Sequence, residues 1–130
     1  MNRFLFVALG AALGANARYA VGLWAANRFG TDFPYGTFIV NVTGSLLLGF
    51  VITLTTERLA LSPETRLLLG VGFLGSYTTF SSYTVEGMGL FRESGLWPGL
   101  IYVAGNVLVG LFCAGLGVYL ARLFNNWATS

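Results

Sequence analysis

Four stretches almost free of charge follow one another along this chain: Arg3 to Arg28, interrupted only by Arg18, then Asp32 to Glu57, Arg66 to Glu86 and Glu93 to Arg122. Each is long enough to cross a bilayer, whose hydrocarbon core of about 30 Å takes about 20 apolar residues of helix. Backbone polar groups facing lipid must be bonded within their own segment, so four transmembrane helices are expected. Together they use nearly all of the 130 residues. Residues 1–130 therefore read as a single four-helix transmembrane domain, with spans at about 3–27, 37–56, 64–90 and 98–124.

The third stretch differs from the others. In Gly72-Phe73-Leu74-Gly75-Ser76-Tyr77-Thr78-Thr79-Phe80-Ser81-Ser82-Tyr83, two glycines, five hydroxyl residues and two tyrosines occupy twelve positions. A helix serving only as an anchor would carry Leu, Val and Ile there. A polar run at membrane depth belongs where protein buries it or where it lines a wet path. The glycines and hydroxyls from Gly75 to Thr79 suit a helix opened near its middle, whose freed carbonyls bind a cation.

Composition excludes several chemistries. The chain is 55% apolar and 9% charged, which places it among membrane proteins. Without histidine and with Cys113 as the single cysteine, it lacks the parts for a histidine base, a zinc site or a disulfide framework. Cys113 reads as a small buried hydrophobe. Seven arginines against five acids give a net charge of +2, too little for a nucleic-acid surface, and the charges sit at span ends. Arg3, the apolar run after it and Ala15-Asn16-Ala17 imitate a signal peptide, but the apolar stretch continues to Ala26, so it is expected to stay as the first helix.

Ser62-Pro63-Glu64 reads as a helix start, with a serine cap, proline at the first position and an acid on the positive end of the dipole. Asp32 to Gly36 reads as a turn, and Arg92 to Leu96 as another. Trp24 and Trp97 are expected at one membrane interface and Trp127 at the other. Gly10-x-x-x-Gly14 makes a surface for close helix contact. Arg3, Arg58, Arg66 and Arg122 fall on one side, against Arg28 and Arg92 on the other. That weak bias permits insertion in both directions. Four helices are also too few to enclose a path and shield it from lipid, so an oligomer, most simply a dimer, is expected.

Several intramembrane polar residues are candidates for function. Asn41 suits either a bond between helices or a ligand donor, having two N–H groups and one acceptor. Arg18, about 22 Å along the helix from Arg3, either snorkels to the interface or supplies positive potential at the mouth of an anion path. Phe80 and Tyr83 share a helical face, with Ser76 expected one turn before, Glu86 one turn after, and Thr79 and Ser82 between. Aromatic edges are positive, so rings turned edge-on to a path favour an anion. For Asn106, Thr43 and Ser45, helix-to-helix bonding is the expected role.

With those residues in view, the chain resembles the Fluc fluoride channels, also called the CrcB family. Gly10-x-x-x-Gly14-x-x-x-Arg18-Tyr19, Gly36-Thr37-Phe38-x-Val40-Asn41-x-x-Gly44 and Gly72-Phe73-Leu74-Gly75-x-x-Thr78-Thr79-Phe80-Ser81-x-Tyr83 look like that family's first-, second- and third-helix patterns, in order. The resemblance implies an all-α integral membrane protein: an antiparallel, dual-topology homodimer with two narrow pores in a bacterial inner membrane. It would release cytoplasmic fluoride passively and confer fluoride resistance, since fluoride enters cells as the neutral acid and is trapped as the anion. By position, Asn41 would donate to fluoride, and Phe80 and Tyr83 would line the pore. Thr79, Ser81 and Ser82 would form a hydroxyl-lined region beside them, with Arg18 near the vestibule. The carbonyls of Gly75 and Thr78 would hold a structural sodium ion on the two-fold axis.

The chain departs from that pattern at four places. Tyr83 stands where Phe is usual, Ser82 where Thr is usual and Ser76 where Gly is common, and a fourth-helix hydroxyl expected near Gly110 is absent. A tyrosine can donate a hydrogen bond directly, and Tyr83 is expected to keep the pore open while altering its rate.

Other functional classes fit less well. A small proton-coupled multidrug-type exporter of four helices needs a titratable carboxylate deep in the membrane, and Glu86 is the only intramembrane acid, near the end of the third span. A structural assembly subunit leaves the hydroxyl and aromatic run without a purpose. An enzyme lacks a nucleophile–base or metal set.

Overall fold

The computed structural model describes residues 3–57 and 61–127, with the side chains of Asn125 and Trp127 outside the described set. Arg58 and the Trp127 ring, both expected at membrane faces, therefore lie outside the described residues. Helix α1 spans Arg3–Phe29 and α2 spans Tyr35–Glu57. The third segment is built from α3 (Pro63–Arg66), a π-helical stretch (Leu67–Leu74), α4 (Gly75–Tyr77) and α5 (Phe80–Glu93), and α6 (Leu96–Trp127) closes the chain. Every described element is helical.

Local chemistry accounts for the boundaries. Gly30 ends α1 with φ of 84°, a left-handed conformation open to glycine, and its N–H bonds to the Ala26 carbonyl at 3.0 Å. Helix α2 starts before the expected Thr37, because the Pro34 carbonyl already accepts from the Phe38 N–H at 3.2 Å. Ser62 caps α3 as expected, its hydroxyl accepting from the Thr65 N–H at 3.2 Å, with Pro63 in the first helical position. Helix α6 begins at Leu96 and not at the expected Pro98. Proline is tolerated inside the first turn because an N–H there has no helical acceptor.

The third segment is interrupted as expected, and its first half holds a surprise. Between Leu67 and Leu74 the helix widens to the π form, so that the Gly75 N–H reaches back five residues to the Gly70 carbonyl. Glycines weaken the ordinary helix here, and Gly10 and Gly14 of α1 explain why the segment stays packed. A Cβ at either position would overlap a carbonyl oxygen, that of Leu68 facing Gly10 and that of Phe73 facing Gly14. The two backbones are in direct contact along this line.

The third segment also changes partners partway. Its π stretch and α4 lie against α1, whereas α5 lies against α6; α2 packs mainly on α6 and also on α1. The turn between α1 and α2 meets the start of α6, where the rings of Phe33 and Tyr102 stand edge to face at 5.3 Å. Trp24 and Trp97 are therefore at the same end of the bundle, and both are exposed. A small core of Tyr83, Leu90 and Tyr102 fastens α5 to α6, with Phe33, Phe38 and Val103 against it.

Helices α1, α2 and the Leu96–Phe124 part of α6 are each long and apolar enough to cross a membrane. The third segment, broken into short pieces, supplies no single helix of that length.

Candidate functional site at the helix break

The break falls at Thr78 and Thr79. Both leave the helical conformation, with φ and ψ of −84° and 158° at Thr78 and −149° and 125° at Thr79. Helical register is not carried across two extended residues. Ser76, expected one turn before Phe80 on the same face, therefore belongs to α4 and stands on the far side of the break. Glu86 keeps its place on α5, two turns after the cap at Thr79.

Opening a helix strands backbone groups, and two of the stranded donors here, the N–H groups of Thr79 and Ser82, find side chains. Asn41 Oδ1 accepts the Thr79 N–H at 2.9 Å, and Asn41 Nδ2 donates to the Thr79 carbonyl at 3.1 Å. Thr79 in turn caps α5, its Oγ1 accepting from the Ser82 N–H at 3.2 Å. Glycine at 44, one turn beyond Asn41 on α2, leaves the room that the Thr78 methyl fills. The carbonyls of residues 75 to 78 all lose their helical donors at the break, Gly75 and Thr78 among them. Thr79 N–H would serve Gly75 in a continuous helix and Ser82 N–H would serve Thr78, but both donors are now engaged elsewhere.

Asn41 Nδ2 also donates to Asn106 Oδ1 at 3.2 Å, and Asn106 Nδ2 donates to the Tyr102 carbonyl at 3.0 Å. Asn106 is only 8% exposed. The amide expected to serve either as a bond between helices or as a ligand donor thus makes the bond to α6 and braces the break as well. A cavity of about 280 Å³ opens beside it, walled by Asn41, Ser45 and Leu48 of α2, by Thr78 and Thr79, by Phe80 and Tyr83, and by Asn106 and Val107 of α6.

Phe80 and Tyr83 meet as their spacing predicts, ring centroids 5.6 Å apart and tilted by 48°. Their environments are opposite: Phe80 is 76% exposed and Tyr83 is 8% exposed. The Tyr83 hydroxyl donates to the Val103 carbonyl at 3.1 Å, so it is held by α6 and turned away from the role of direct donor. Around the cap the hydroxyls gather, with Thr79 Oγ1 3.2 Å from Ser82 Oγ and 3.5 Å from Ser81 Oγ. Arg18, half-buried on α1, is not among the residues walling this cavity.

A second polar cluster lies further along α5, toward its C-terminal end. Glu86 accepts from the Thr37 hydroxyl at 2.8 Å and from the Tyr102 hydroxyl at 2.6 Å, and Tyr102 is fully buried. Tyr102 carries no signal of its own in sequence, but it stands four residues before Asn106 and hence on the same face of α6. That pairing was the available clue.

Three long apolar helices and a fourth segment opened over a polar and aromatic cavity define a multi-pass membrane protein organised around a helix break. The model of one family, described as CrcB-like protein, Camphor Resistance (CrcB), matches residues 5–118. The chain belongs to this CrcB family. It is 49% identical over 124 residues to a protein of Chloroflexus aurantiacus, covering 95% of this chain and 98% of that one. A Synechococcus relative is 49% identical over 118 residues (91% of each chain), and one from Solibacter usitatus is 47% identical over 120 residues (92% of this chain, 98% of the other). All three relatives carry the name fluoride-specific ion channel FluC, an ion channel's name and not an enzyme's.

Proposed function

We propose that this protein is a fluoride-selective channel that releases cytoplasmic fluoride passively, working as an antiparallel, dual-topology homodimer with two pores. The observation that carries the reading is the opened third segment, held by Asn41 and lined by hydroxyls and aromatic rings. The name shared by relatives aligned over nearly the whole chain supplies the ion. A bare fluoride in a low-dielectric interior is strongly disfavoured, so a path for it needs hydrogen-bond donors and positive ring edges in place of water. Asn41, Thr79, Ser81 and Ser82 are of the right chemistry for the first, and Phe80 and Tyr83 for the second. Arg18 takes the vestibule position, where it raises the local anion concentration.

The dimer is supported by what one chain leaves uncovered. Gly75, Phe80 and Ser81 flank the break and are exposed, although opened backbone is not tolerated against lipid. A second copy laid over this face in the opposite orientation covers it. The weak arginine bias permits both orientations.

The residues at the break also fit the sodium ion that such a dimer would hold. Sodium takes oxygen ligands, and the carbonyls of Gly75 and Thr78 have both lost their helical donors. Bound there, the ion would contribute positive charge and fasten two copies across the axis. The chain's own part is to keep the two carbonyls free, through Asn41 and the Thr79 cap.

A proton-coupled exporter is the weaker reading. Its one intramembrane acid, Glu86, is tied to two hydroxyls and stands outside the cavity at the break. A survival test separates the two. Bacteria lacking fluoride export should grow in millimolar fluoride when they express this chain and fail to grow with Asn41→Asp. Rescue that vanishes when the proton gradient is collapsed, with Asn41→Asp still active, would favour the exporter.

A further inference from the structure

Most donors around the cavity at the break are committed to holding the structure. Both N–H groups of Asn41 are used, on the Thr79 carbonyl and on Asn106. The Thr78 hydroxyl donates to the Leu74 carbonyl at 3.1 Å, with its rotamer fixed by the methyl seated over Gly44, and the Thr79 hydroxyl donates to Ser82 Oγ at 3.2 Å while accepting the Ser82 N–H that caps α5. Of these, the Asn41 amide can reach an ion without unfastening the break only by giving up its bond to Asn106.

Ser45 is different. It stands one turn after Asn41 on α2, walls the same cavity, and donates its hydroxyl to the Asn41 carbonyl at 2.7 Å. That carbonyl lies inside a regular helix and also receives the N–H of Ser45 itself. The hydroxyl bond is therefore dispensable, and losing it strands no buried group. Facing it on α6 is Gly110. A Cβ there would stand 3.7 Å from Ser45 Oγ, so no side chain fills the space on that side of the hydroxyl and it has room to turn, while Asn106 and Val107 form the α6 wall of the cavity itself.

We propose that Ser45 is an anion-donating residue of the pathway: its hydroxyl leaves the Asn41 carbonyl and directs its hydrogen to fluoride in the cavity, and Gly110 provides the space. Exchange toward the ion is favourable because a hydrogen bond to an ionised acceptor is roughly twice as strong as a neutral one. The inference rests on the channel reading given above. It assigns α2 the hydroxyl on the side of the cavity where α6 has none.

The test uses purified full-length protein in liposomes, with fluoride release read by electrode for wild type, Ser45→Ala, Ser45→Thr and the double variant Ser45→Ala/Gly110→Ser. Removing a donor to a charged group should slow Ser45→Ala by at least about tenfold. Ser45→Thr keeps the hydroxyl and should stay near wild type. The double variant returns a hydroxyl from α6 to the space that the Ser45 hydroxyl leaves, and should recover most of the rate. Wild-type flux in Ser45→Ala overturns the proposal. So does slow flux in all three variants, which would assign Ser45 to packing. A wild type that releases no fluoride overturns the channel reading itself, whereas a fast wild type matched by Ser45→Ala overturns the role of Ser45 alone.

Discussion

One amide, that of Asn41, closes both the N–H and the C=O of Thr79, at 2.9 Å and 3.1 Å, across 38 positions of sequence. The break in the third segment is thus not a frayed helix. It is a backbone opening in which the Thr79 and Ser82 donors are redirected to side chains, so that the carbonyls of Gly75 and Thr78 are among those left without helical partners.

Asn41→Asp tests this amide directly. The aspartate still accepts the Thr79 N–H, but its second oxygen now faces the Thr79 carbonyl and Asn106 Oδ1 where Nδ2 donated to both. A carboxylate also repels an anion in the cavity. Fluoride efflux from liposomes should be abolished in a variant that still inserts, and a normal rate would remove Asn41 from the pathway.

Tyr83→Phe should leave transport selective for fluoride and change its rate. The hydroxyl is engaged by the Val103 carbonyl, so its loss removes about 1 kcal/mol of net hydrogen bonding. The ring stays beside Phe80. Parallel fluoride and chloride efflux, with a melting curve in detergent, checks both parts. Fluoride flux that disappears in the variant would mean the hydroxyl acts on the ion, contrary to its position here.

The three long apolar helices, the Ser62-Pro63 helix start and the presence of an interruption were legible in sequence because each depends on neighbouring residues. Apolar run length, a proline at the first helical position and clustered glycine and hydroxyl groups are local signals. The bonds that make the site are not. Asn41 meets Thr79 and Asn106, and Tyr83 meets Val103, only after α2, α5 and α6 are packed. Helical spacing placed Phe80 beside Tyr83 correctly within α5 but wrongly carried that face back to Ser76, because two extended residues intervene. The π-helical stretch has no signature beyond its glycines, and Tyr102 gave no sign that it would bond Glu86.

Gly14→Val tests the contact between α1 and the third segment. The valine would drive into the Phe73 carbonyl, where neither backbone has a flexible side chain to move aside. Overpacking of this kind destabilises by about 1–3 kcal/mol or more. Size-exclusion chromatography should show aggregated or poorly recovered protein. A monodisperse variant with wild-type melting would contradict the close approach.

Sodium removal tests the carbonyls at the break. Replacing sodium with a bulky organic cation throughout purification and assay should lower fluoride flux and weaken the dimer, and returning sodium should restore both. Dimer and flux unchanged after exhaustive exchange would contradict a structural ion at Gly75 and Thr78.

The most direct measurement is fluoride release from liposomes carrying the purified protein, followed with a fluoride electrode beside a matched chloride-loaded preparation. The account predicts rapid loss of fluoride with chloride retained, without any imposed proton gradient. Retention of both ions by verified dimeric protein, or equal loss of both, would contradict a fluoride-selective channel.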